Sequence, residues 1–231
     1  MEEKIIPQSF SNSFQLYNEK VDNFFQENYI NKKYYSPNEI LDPARHNAVI
    51  YLKRGYLRIY STNMHGEELF NGFIPQHSIL MTSPGVENLG KYSICNNYTE
   101  AIYASLNDYL TFLQSSSELI LHQIHEAHYR RNFNDIPRYA SLNQSACVKV
   151  YIYLYYLAKN FGEKTKDNSG KVIIQNAISA KDIANYFGLH PNNVITFINE
   201  LKKQGIISKE KKDIIINDLN VLENEIIRKL R

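Results

Sequence analysis

Residues 180–200 read Ala180-Lys181-Asp182-Ile183-Ala184-Asn185-Tyr186-Phe187-Gly188-Leu189-His190-Pro191-Asn192-Asn193-Val194-Ile195-Thr196-Phe197-Ile198-Asn199-Glu200. Ile183, Phe187, Leu189, Val194 and Phe197 stand where two crossed helices must bury apolar faces against each other. Ala184 is small where the helices approach, and Gly188 supplies the backbone freedom of a tight turn between them. Ser179 and Asp182 form a Ser-x-x-Asp helix start, and Pro191 suits the first position of a second helix. The stretch therefore predicts a helix-turn-helix, whose second helix is of the kind that enters a DNA major groove.

The segment that follows extends this pattern. Gln204-Gly205-Ile206-Ile207-Ser208 closes the helix and opens a strand, 209–212 is a charged turn, and Asp213-Ile214-Ile215-Ile216 returns as a second strand. A helix-turn-helix with a lysine-bearing hairpin is a winged helix. Charge is distributed to match. Residues 145–231 carry fourteen Lys and Arg against nine Asp and Glu, a surplus of five, whereas the whole chain has a net charge of only +2. The excess cation lies where phosphate attraction would use it.

Working outward, 231 residues with 43% hydrophobic content support proper cores in one large domain or two ordinary ones. The longest apolar run, 150–158, is too short to span a membrane, so no membrane partner is expected. The opening Met1-Glu2-Glu3-Lys4 lacks a basic-then-apolar leader. Cys95 and Cys147 have no metal or redox spacing, which fits a reducing cytoplasm.

The first thirty residues place Phe10, Phe14, Leu16, Tyr17, Val21, Phe24 and Phe25 at amphipathic helical spacing. From 33 to 112, short β-branched and aromatic runs alternate with turns, predicting strands at 48–52, 56–60, 67–74, 79–81, 99–104 and 109–112. Many short strands indicate a jelly-roll β-barrel. Helical patterns follow at 116–136, where Pro137 should bend or end the helix, and at 141–159. Residues 161–175 read as a loop or short hairpin. The fold class expected is α+β, with a β-roll domain at 1–115, a long helix at 116–140 and a winged-helix domain at 141–231.

This order of parts, together with Ile50-Tyr51-Leu52-Lys53-Arg54-Gly55-Tyr56-Leu57-Arg58-Ile59-Tyr60, His65-Gly66-Glu67-Glu68-Leu69 and the winged helix, resembles the CRP/FNR transcription regulators. The resemblance spans roughly residues 33–222. It implies a cyclic-nucleotide-binding-like roll acting as sensor, a homodimer joined through the long helix, and double-stranded DNA as partner. RNA polymerase and a small-molecule effector of unspecified chemistry are further partners it implies; an enzymatic activity and a resident cofactor are not.

Departures from the family pattern narrow those expectations. Cyclic-nucleotide members carry Gly-Glu and then Arg-Ser or Arg-Thr, the arginine holding the cyclic phosphate. The matching stretch here is Asn96-Asn97-Tyr98-Thr99-Glu100, and no arginine occurs between Arg58 and Arg130. A buried phosphate needs such a cation, so no cAMP or cGMP response is expected. Two cysteines cannot supply the usual four thiolates of an iron–sulfur sensor. Where many members read guanine with Arg or Glu, this chain has Pro191, Asn192 and Thr196, with Asn193 and Ile195 between. Asparagine pairs with adenine, and Thr196 or Ile195 can touch thymine methyl groups, which predicts an A/T-weighted operator. The DNA-binding set expected is Ser179, Lys181, His190, Asn192, Asn193, Thr196, Lys202, Lys211 and Lys212, with Ser179 and the lysines on phosphates. Asn199 is assigned to solvation.

Other candidates carry less. His122, His125 and His128, with Glu126 among them, form i, i+3 pairs on the long helix that could share a metal. One helix supplies an incomplete ligand set, so a solvated face near a subunit contact is the reading preferred. Tyr151, Tyr153, Tyr155 and Tyr156 read as core rather than as a ligand box. His65 and His77 stand alone near turns, without a neighbouring nucleophile or carboxylate pair. The loop Pro84-Gly85-Val86-Glu87-Asn88-Leu89-Gly90 lies where family ligands gather, yet it holds no P-loop or dinucleotide fingerprint. An alternative function, in a different class, is a small-molecule or metal sensor acting mainly through protein contacts.

Overall fold

A computed structural model describes residues 15–41, 48–81, 91–165, 170–176 and 178–230. The 84–90 loop, Phe10 and Phe14 lie outside the described residues. The chain forms two compact units that meet between Asn134 and Asp135.

The amino-terminal unit is built on alternation. Strands β1 (Tyr29–Tyr35), β3 (Ala48–Arg54), β6 (Ile79–Leu80) and β8 (Thr99–Ser105) make one antiparallel sheet in the order β1-β8-β3-β6. The second is β2-β7-β4-β5, from β2 (Ile40–Leu41), β4 (Leu57–Thr62), β5 (Glu68–Ile74) and β7 (Lys91–Cys95). Side chains on a strand point to opposite faces in turn. Ile50 and Leu52 accordingly enter the inner core with Leu57, Leu80, Ala101 and Tyr103. Val49 and Tyr51 face the other way, with Ile79 and Ile102, under helices α1 (Gln15–Glu27) and α2 (Leu106–Gln114). Phe24, Phe25 and Tyr109 close that outer layer through stacked and edge-on ring contacts. The jelly-roll expectation holds.

Several elements correct the reading of the sequence. Residues 109–112 are helical, inside α2, because Ser105 caps that helix by accepting from the Asp108 N–H. Strands β1, β2 and β7 were not among the strands expected; β1 is exposed from Tyr29 to Tyr34, so no apolar alternation marks it.

Helix α3 (Ser117–Ala140) carries Pro137 inside it and continues three residues further. The proline costs the ladder one bond, the one its missing N–H would give to the Phe133 carbonyl, and does not end the helix. The histidines separate along it: His122 and Glu126 are buried, His125 and His128 exposed. They therefore do not form one solvated face, and no metal-ligating group of three gathers among the described residues. Arg130 Nε lies 2.8 Å from Glu126 Oε1, an ion pair by distance whose angle does not make a hydrogen bond. Burial pushes the Glu126 carboxyl up to about 7 despite the pull of the Arg130 charge. Burial likewise lowers His122. Further along, the Asn134 side chain spans both polar groups of Phe73, accepting from its N–H at 2.7 Å and donating to its carbonyl at 2.8 Å. Gly72 makes room for this, since a Cβ there would meet Asn134 Oδ1 at 2.1 Å.

His77 does not stand alone either. Its Nδ1 lies 2.7 Å from the Tyr51 hydroxyl, which also bonds the Asp22 carboxylate; Lys53 pairs with Asp22 from the other side. With the phenol donating to Asp22, His77 Nδ1 is the donor to the phenol oxygen. The set ties α1 to the roll. His65 remains an exposed turn residue.

The carboxy-terminal unit is organised around α4 (Ala146–Phe161), capped by Ser145 and buried at every residue from Val150 to Ala158. The four tyrosines 151, 153, 155 and 156 are core, as expected. Around it stand α5 (Ala180–Phe187), α6 (Pro191–Lys203) and α7 (Leu219–Leu230). A small sheet, in the order β11-β12-β10-β9, joins β9 (Glu163–Lys164), β10 (Val172–Ile174), β11 (Ile207–Glu210) and β12 (Asp213–Ile216). The hairpin reading of 161–175 is thus realised as β9 and β10. Helix α7 was not anticipated; Asp218 starts it by accepting from the Asn220 and Val221 N–H groups.

Candidate nucleic-acid interface

Helix α5 begins as its sequence dictates. Ser179 accepts from the Asp182 N–H at 3.1 Å, and the Asp182 carboxylate accepts from the Ser179 N–H at 3.1 Å, a complete capping box. The Ser179 hydroxyl also donates to that carboxylate at 2.8 Å, so both its polar groups serve the cap. Gly188 ends the helix at φ 66°, a left-handed conformation that costs glycine nothing. Leu189 N–H then returns to the Ala184 carbonyl at 2.8 Å and turns the chain.

His190 caps the next helix and Pro191 opens it. His190 Nδ1 accepts from the Asn192 N–H at 3.3 Å, so this nitrogen is unprotonated and Nε2 carries the proton. Ile183, Ala184, Val194 and Leu201 are fully buried between the helices and α4, while Phe187, Leu189 and Phe197 are half-buried. Tyr186 stacks on Tyr153 with ring centroids 4.7 Å apart, and the Arg138 guanidinium lies over the Tyr186 ring at 4.2 Å.

That packing leaves one face of α6 bare. Asn192, Ile195, Thr196, Asn199 and Lys203 are exposed at i, i+3, i+4, i+7 and i+11, with Asn193 beside them. The structure brings His190, Asn192, Asn193 and Thr196 together at the amino-terminal half of this face. Lys202 lies half-buried at its flank, and Lys181 is exposed on α5. Lys203 is the residue the sequence reading passed over; its place three turns after Asn192 was the available signal.

The wing is a tight hairpin. Glu210 pairs with Asp213, so Lys211 and Lys212 alone make the turn, both exposed. Lys211 has φ 52°, the left-handed geometry that two-residue hairpins demand.

Two helices crossed at a glycine turn, with a bare second helix and a cationic hairpin, define a winged helix-turn-helix. Residues 148–225 match the family model described as a Crp-like helix-turn-helix domain. Across nearly the whole chain the fold is that of the CRP/FNR regulators. A CRP-family transcriptional regulator from Thermus thermophilus is 12% identical, with TM-score 0.64, covering 86% of this chain and 98% of its own. A cyclic nucleotide-binding domain containing protein from Listeria monocytogenes is 16% identical, with TM-score 0.62 and coverage of 86% and 96%. A CooA variant from Carboxydothermus hydrogenoformans is 17% identical, with TM-score 0.60 and coverage of 88% and 90%. A search of curated proteins finds no match. No helix among the described residues is long and apolar enough to cross a membrane.

Proposed function

We propose that the chain is a homodimeric, sequence-specific transcription regulator that binds a two-fold DNA operator. The observation that carries this reading is the uncovered α6 face flanked by Lys211 and Lys212 at the wing tip. Each α6 enters a major groove, with half-sites about one helical turn, ~34 Å, apart. Lys181, Lys202, Lys203, Lys211 and Lys212 contact phosphates and set position, while Ser179 holds α5 in place. Asn192, Asn193 and Thr196 face the bases, with His190 Nε2 as a further donor.

Dimerisation uses α3, the helix of 117–140, within the proposed division into roll, long helix and winged-helix domain. Ile120, Leu121 and Ile124 stand exposed along it at 43%, 55% and 50%, and Ala127 continues the stripe. A small effector biases the geometry of the pair, and RNA polymerase is the machinery regulated. The chain performs no catalysis and does not answer to cAMP or cGMP, because Asn96, Thr99 and Glu100 replace the cation a buried phosphate requires.

Fluorescence anisotropy on a random-sequence duplex tests the interface. Binding falls linearly on a log–log plot against salt, and Lys211→Gln with Lys212→Gln, which removes two lysines from each protomer, lowers that slope by about four for the dimer. A salt-independent association would remove the reading.

A further inference from the structure

The bare face of α6 is unusual in what it lacks and in what it exposes. Its base-reading positions carry no arginine or lysine; the helix's cations, Lys202 and Lys203, sit in its last turn. Guanine is read by a cation bidentate to O6 and N7, so that contact has no donor here. In its place stands Ile195, a branched apolar side chain left 46% exposed among asparagines. Thr196 adds a second apolar group, because its hydroxyl donates back to the Asn192 carbonyl at 2.9 Å. With that proton held inside the helix, the hydroxyl has only a lone pair to offer, and the methyl is its remaining recognition group. Asn192 and Asn193 flank the pair with amides that make no side-chain bond among the described residues.

We infer that α6 selects DNA through the C5-methyl group of thymine, which Ile195 and the Thr196 methyl contact while Asn192 and Asn193 read adenine. The inference rests on the major-groove reading above and adds the chemical class of base that the groove must present. Thymine alone among the four bases carries a major-groove methyl. Burying it against Ile195 removes two apolar surfaces from water at once.

The test separates this claim from DNA binding itself. A duplex pool selected by the full-length protein from a random library is re-amplified with dUTP in place of dTTP. Pairing, charge and the minor-groove edge persist, and only the methyl is lost. One methyl buried per half-site is worth about fourfold, so the wild-type protein should bind the uracil pool roughly fifteenfold more weakly. Ile195→Ala and Thr196→Ser should each narrow the gap between the two pools.

Equal wild-type affinity for the two pools overturns methyl reading and leaves DNA binding standing. A selected pool depleted in A·T pairs overturns it as well. So does an undiminished gap in both variants, which would assign the loss to duplex stiffness. If no duplex is bound at any salt concentration, the regulator reading falls together with this one.

Discussion

Helices α3 and α4 follow one another in the chain and have opposite relations to their surroundings. Every residue of α4 from Val150 to Ala158 is buried, the hydroxyl-bearing tyrosines included. Helix α3 buries Leu119, His122, Glu126 and Phe133 on one side, yet leaves Ile120, Leu121 and Ile124 in water. A helix apolar on all sides is complete within its own unit. One with polar groups inside and apolar groups outside leaves apolar surface uncovered among the described residues, and its inner face is where titration can be felt.

The sharpest break in this comparison would come at Tyr153. Its ring is enclosed by Tyr186 and Phe187 at 4.7 and 5.4 Å. Tyr153→Ala should cost about 3–5 kcal/mol in urea unfolding. A loss below about 1 kcal/mol would mean α4 is not the centre of its unit.

On α3 the expected effect depends on pH. Glu126 in the folded state holds its proton up to about pH 7, against an ordinary carboxyl value of 4.5. Its contribution is therefore fully present below that ordinary value and is lost as pH rises through 7. Glu126→Gln keeps the neutral form, so its stability relative to wild type should grow by up to about 3 kcal/mol between acid and pH 8. His122, lowered by burial, favours folding as pH rises, but both proteins share it. A pH-independent difference between them would place the carboxyl in water.

The outer face of α3 predicts a smaller effect, on association alone. Leu121→Lys with Ile124→Lys should weaken self-association at least about tenfold in sedimentation, or ~1.4 kcal/mol. Unfolding of the separated chain should stay within about 0.5 kcal/mol of wild type, as for exposed sites generally. Self-association unaltered by both lysines would move the interface elsewhere. Smallest is Ser179→Ala, worth about 1 kcal/mol through loss of the α5 cap. No change there in thermal unfolding would show the box to be dispensable.

What could be read from the sequence tracks how locally each element is specified. Ser179, Asp182, Gly188 and Pro191 act within a few residues, and each occupies the cap or turn its chemistry implied. The wing was legible for the same reason. Residues 109–112 misled because a short aromatic run has no distinguishing period, although Ser105 and Asp108 signalled a helix start. Helix α7 was legible and unread: Leu219, Leu222 and Ile226 keep helical spacing behind Asp218. Strand β1 offered nothing, since an edge strand exposed along its length needs no apolar alternation. The burial of His122 and Glu126 was hidden too, because which side of α3 meets the roll is decided by residues far away, Ser78 and Ile79 among them. On α6, composition drew the eye to Lys202, whereas exposure singles out Lys203.

Lys211 sits at a left-handed backbone position that would be relaxed for glycine or asparagine and strains a lysine by about 1 kcal/mol. Under the proposed DNA reading, thermal robustness and affinity consequently pull in contrary directions at a single codon. On that reading, an engineer hardening this hairpin by loop optimisation would blunt its grip on phosphate.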